Sequence, residues 1–78
     1  MNITQEQAVV IATIKLSKKV EKKDLESSWN YAKNKTAVLE RMDGKQVWKV
    51  SFSKGNEASN KVLNVYLTKT GELISISK

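Results

Sequence analysis

The sequence predicts an α+β domain, an N-terminal helix packed on a four-stranded antiparallel meander sheet. Three observations carry this. A capped stretch with helical spacing opens the chain, Asp43-Gly44 marks a tight hairpin, and the last third alternates with period two around a glycine turn.

Thr4-Gln5-Glu6-Gln7 reads as a capping box, in which the Thr4 hydroxyl accepts from the Gln7 backbone and the Gln7 side chain reaches back to Thr4. Ile3 and Ala8 stand where a hydrophobic staple would. Glu6 lies in the first turn, and Lys15, Lys18 and Lys19 gather at the other end, the polarity that the helix dipole favours. Ala8, Ile11, Ala12 and Leu16 share one face, widened by Val9 or Val10 and by Ile14. The β-branched run Val9 to Ile14 would also suit a buried strand. The cap and the charge polarity decide for a helix over residues 4–18.

Residues 19–35 are the least legible part. Leu25, Trp29 and Ala32 have the i, i+4, i+7 spacing of a short second helix. Ser27, Ser28, Asn30 and Asn34 weaken it, because their side chains compete for backbone hydrogen bonds. A loop with one helical turn fits as well. Trp29 and Tyr31 would either cover one end of the sheet or form an exposed binding ridge; covering is the expectation in a chain this small.

From Thr36 the period becomes two. Thr36 to Met42 is a strand, and Asp43-Gly44 suits the positive φ angles of a type I′ turn. Gln46 to Ser53 is the second strand, with Trp48, Val50 and Phe52 toward the core and Lys49 and Ser51 away from it. Residues 54–60 form a polar loop. Lys61 to Thr68 is the third strand, with Leu63, Val65 and Leu67 inward and Val62, Asn64, Tyr66 and Thr68 outward. Lys69-Thr70-Gly71-Glu72 turns the chain, and Leu73 to Ser77 closes the sheet. The open face then carries Lys49, Ser51, Asn64, Tyr66 and Thr68.

Composition bounds the chemistry. The 78 residues make one domain, 1–78, near the lower size at which a single core suffices. The chain has no cysteine to form a disulfide or a thiolate metal site, and no histidine to serve as base or ligand. Its carboxylates (Glu6, Glu21, Asp24, Glu26, Glu40, Asp43, Glu57, Glu72) mostly read as helix-start, turn, loop or solvated positions. Weak oxygen-only Ca²⁺ or Mg²⁺ binding is the most they would support. No serine has a histidine to activate it, and Gly44, Gly55 and Gly71 are isolated turn glycines. An enzyme is not expected, and no catalytic, cofactor or metal residue is assigned.

The net charge of +6 favours acidic partners, whether protein, nucleic acid or anionic membrane, although a solvating surface explains it too. Lysine dominates and Arg41 is the lone arginine, which argues against specific phosphate recognition. The opening residues lack the basic region and apolar run of a secretory signal, and no stretch reaches the roughly 20 apolar residues of a membrane span. The expectation is a soluble protein, either cytoplasmic or the mature part of an exported one.

Three pieces of the chain together resemble a PepSY domain, the small module of bacterial peptidase propeptides and of standalone or membrane-anchored bacterial proteins. They are Ile3-Thr4-Gln5-Glu6-Gln7-Ala8 with Ile11-Ala12, Val47-Trp48-Lys49-Val50-Ser51-Phe52, and Val65-Tyr66-Leu67-Thr68-Lys69-Thr70-Gly71-Glu72-Leu73. One departure is plain: that family often has an aspartate just before the Thr-Gly-Glu turn, and here Leu67-Thr68 stand there. The resemblance implies binding rather than chemistry, in a folding aid or inhibitor of peptidases or an extracytoplasmic interaction module.

The functional expectation is therefore a non-catalytic protein-binding module of PepSY type, a peptidase inhibitor or propeptide-like regulator. Its partner would be a peptidase or another acidic protein. The candidate partner-binding residues are Lys49, Ser51, Asn64, Tyr66 and Thr68 on the open face, with Trp29 and Tyr31; an edge strand that accepts an extended peptide is the other surface. Two alternatives stand beside it. One is a small cytoplasmic immunity or effector-neutralising protein. The weaker one is electrostatic nucleic-acid binding through Lys15, Lys18, Lys19, Lys22 and Lys23, with Trp29 and Tyr31 for stacking. Self-association is compatible with all three.

Overall fold

A computed structural model describes residues 2–23, 34–53 and 62–77. Within them the predicted architecture is present: one helix, α1 (Gln5–Glu21), lies on a four-stranded antiparallel sheet of β1 (Asn34–Met42), β2 (Lys45–Ser53), β3 (Val62–Leu67) and β4 (Leu73–Ser77). The strands run in the order β1-β2-β3-β4, so β1 and β4 are the edges. The proposed second helix over Leu25, Trp29 and Ala32, the placing of Trp29 and Tyr31, and the loop 54–60 lie outside the described residues.

The capping box starts α1. Thr4 Oγ1 accepts from the Gln7 amide at 3.2 Å, and Gln7 Oε1 accepts from the Thr4 amide at 2.8 Å. The helix runs to Glu21, beyond the expected end at residue 18. Its close is a C-cap at Lys22 followed by Lys23 at φ 63°, a left-handed turn without the usual glycine. Nothing in the composition of residues 18–21 marked a stop.

Burial along α1 follows a narrower stripe than the spacing suggested. Ala8, Ala12 and Leu16 are fully buried, and Val9 and Ile11 are half-buried at the flanks. Ile14 does not widen the core face: it is 51% exposed, as is Val10 at 58%. Val10 and Ile14 each lie two residues, about 200° of helix rotation, from their buried neighbours and so face away from the sheet.

Beneath the helix sit Ala37, Val50, Phe52, Leu63, Val65 and Leu67, all buried. The register explains this layer, because Ala37 pairs with Val50, Val50 with Val65, and Phe52 with Leu63. Trp48 lies on the same face but is only half-buried, at the rim of the cluster. Its neighbour Leu39 is 48% exposed, so the helix leaves that corner of the sheet uncovered. The Asp43-Gly44 hairpin has the expected positive φ angles, 50° and 80°.

The turn between β3 and β4 belongs to the core as much as to the sheet. Ile3 donates its amide to the Lys69 carbonyl at 2.8 Å, which ties the N-terminal segment to this turn. Gly71 has φ 97°, and a Cβ there would stand 2.9 Å from Ile11 Cδ1. The register then slips: Tyr66 pairs with Ser75 and Leu67 with Leu73, which leaves Ile74 as an extra residue in a bulge.

Candidate functional site

The open face is built by strand alternation. Thr36, Val38, Glu40 and Met42 of β1 lie opposite Ser51, Lys49, Val47 and Lys45 of β2, and Lys49 and Ser51 lie opposite Tyr66 and Asn64 of β3. The structure thus brings four of the candidates, Lys49, Ser51, Asn64 and Tyr66, together on one surface. All four are half-buried.

Two of these residues satisfy each other, since the Ser51 hydroxyl donates to Asn64 Oδ1 at 2.8 Å. Lys49 Nζ reaches Glu40 Oε1 at 3.4 Å across the β1–β2 pair. That pair is partly exposed and contributes at most about 1 kcal/mol. Four polar side chains near the centre of the face are therefore held in two separate pairs. A partner there would have to exchange these bonds for its own, with little net gain.

Thr68 is not a third-strand residue facing outward. It stands just past β3 and organises the turn. Its amide donates to the Glu72 carbonyl at 2.8 Å, its carbonyl accepts from Gly71 at 3.0 Å, and its hydroxyl accepts from the Glu72 amide at 2.9 Å. The Thr68 and Thr70 hydroxyls are 3.0 Å apart. This accounts physically for a Thr-x-Thr-Gly-Glu turn without an aspartate, because a hydroxyl supplies the acceptor for the backbone amide of Glu72.

The open face also holds apolar residues that simple alternation hid. Val47, which strand alternation places on the same face as Lys49 and Ser51, is only 5% exposed. It belongs to a groove of about 730 Å³ at the turn end of the sheet, with Met42, Lys45, Thr68, Lys69 and Ile74 around it. The one signal in the sequence was the apolar residue at an outward position of β2. The bulge that places Ile74 at the same groove arises from the β3–β4 register.

The free edge of β1 is the other open surface. Nine residues long, it ties with β2 as the longest strand among the described residues, and among them it pairs on one side only. Val38 and Leu39, one on each face, are 51% and 48% exposed. Gln5 Nε2 donates to the Ala37 carbonyl at 2.8 Å, so α1 occupies one acceptor of this strand. Lys35 lies with its ammonium 5.9 Å from the centroid of the Phe52 ring, a cation–π distance.

Among the described residues no three of Asp and Glu are grouped to hold a metal ion. No helix among them is long and apolar enough to cross a membrane.

These features define a small helix-on-sheet protein with an open strand edge and a basic groove. The chain belongs to a family of unknown function (DUF6488), whose model matches residues 1–78. No curated protein and no solved structure matches it.

Proposed function

We propose that the protein is a non-catalytic binding module of the PepSY type, which takes an extended segment of a partner protein along the free edge of β1. The observation that carries this is the edge itself: nine residues, unpaired on one side among the described residues, with Val38 and Leu39 half-exposed on opposite faces. Exposed edges of this length usually carry protection against added strands. Here the described protection is the Gln5 bond to one carbonyl and the flanking charges of Lys35 and Arg41. An incoming strand would gain main-chain hydrogen bonds, and the two apolar side chains would add specificity.

The helix-on-meander fold is compatible with the PepSY resemblance read from the sequence, and the net charge of +6 favours an acidic protein as the partner. The self-satisfied polar centre of the open face turns the proposal toward the edge. Capture of the partner from the native host, followed by amide exchange on the complex, tests it. Exchange should slow across residues 34–42. A complex in which these amides exchange as fast as in the free protein refutes edge capture.

A further inference from the structure

The groove at the turn end of the open face meets β1 only at its last residue, Met42, and has its own chemistry. The β1–β2 and β3–β4 turns stand at the same end of the antiparallel sheet, and the groove runs between them. Val47 forms its floor, and half-buried Met42 and 42%-exposed Ile74 supply apolar walls. Lys45 and Lys69 line it as well, and neither has an ion-pair partner among the described residues. Asp43, held in the hairpin turn, is the single acid of the lining.

The groove is more open than enclosed. Small ligands are held by burying most of their surface, which an open groove does less well than a closed cavity. A peptide needs only to lay a side chain or two into it. The excess of lysine in the lining, on a chain of net charge +6, selects the sign of that peptide.

We infer that this groove docks an acidic segment of a partner protein in which carboxylates alternate with apolar side chains. An apolar side chain rests on Met42, Val47 and Ile74, and flanking carboxylates face the Lys45 and Lys69 ammonium groups. The inference rests on the protein-binding reading above but does not need the β1 edge.

The test uses the whole ¹⁵N-labelled chain at low salt, titrated with a capped pentapeptide of alternating Glu and Leu and with its Lys-and-Leu counterpart. The acidic peptide should shift the amide signals of Val47, Lys69, Thr70 and Ile74, and the basic one should not. The double variant Lys45→Glu, Lys69→Glu changes exposed or half-exposed side chains, so its spectrum should remain that of a folded protein. Its affinity for the acidic peptide should fall by about tenfold or more.

Absence of shifts, equal shifts with both peptides, or undiminished binding by the double variant overturns the inference. Shifts confined to residues 34–40 overturn it too, and leave the edge proposal standing. Shifts at the groove, Met42 included, with residues 34–40 unmoved support it and separate it from the edge. Groove shifts produced by phosphatidylglycerol vesicles and not by the acidic peptide would assign the site to a membrane surface and overturn it.

Discussion

Gly71 works under two constraints at once. Its φ of 97° lies where L side chains rarely go, and the space a Cβ would need is held by Ile11. Gly71→Ala should therefore cost about 2–3 kcal/mol, the left-handed penalty added to overpacking, read as a lower urea midpoint with an unchanged slope. Lys23 is the opposite case. Its φ of 63° follows the helix C-cap, where glycine is the favoured residue. Lys23→Gly should raise stability by about 1 kcal/mol, measurable in the same titration. Aromatic residues divide in the same way. Phe52 is fully buried, so Phe52→Ala should cost about 3–5 kcal/mol; half-buried Trp48 should cost about half as much on truncation to Ala. Equal losses at the two sites would show that the helix covers the Leu39–Trp48 corner after all.

At the scale of elements, α1 is matched to the sheet by its small residues. Ala8 and Ala12 are wholly buried one turn apart, with Leu16 filling the next turn. Ala12→Leu would force the helix away from Val50 and Val65 and should destabilise by about 1–3 kcal/mol. A variant that melts like the parent would mean that the helix rides higher on the sheet than its alanines imply. The capping box, the I′ hairpin and the alternation of β2 and β3 were legible because each depends on residues close in sequence. Less legible were the helix end, which relies on a lysine in a left-handed turn, and Thr68, which reads as strand but serves as a turn acceptor. Ile14 misled for another reason. It lies two residues from both Ala12 and Leu16, about 200° around the helix, so an apolar side chain there faces away from the sheet.

For the molecule as a whole, charge and shape act together. A chain of net charge +6 favours acidic partners over basic ones. Binding of an acidic protein should weaken as salt rises, since the screening length falls from about 30 Å at 0.01 M to about 3 Å at 1 M. Affinity measured by calorimetry across that range checks it, and a flat profile would place the contact on apolar surface alone.

The local codes in the chain were enough to determine its class: where a helix starts, where the hairpin turns, and which residues of β2 and β3 face inward. They act over a few residues, through capping bonds, allowed φ angles and the two-residue period of a strand. Which candidates could meet a partner was decided only by the tertiary structure. It joined Ser51 to Asn64 and Lys49 to Glu40, moved Thr68 into a turn, and used the bulge at Ile74 to complete a groove over Val47. Those outcomes depend on register between strands distant in sequence, and register is set by the packing of the whole sheet under one helix.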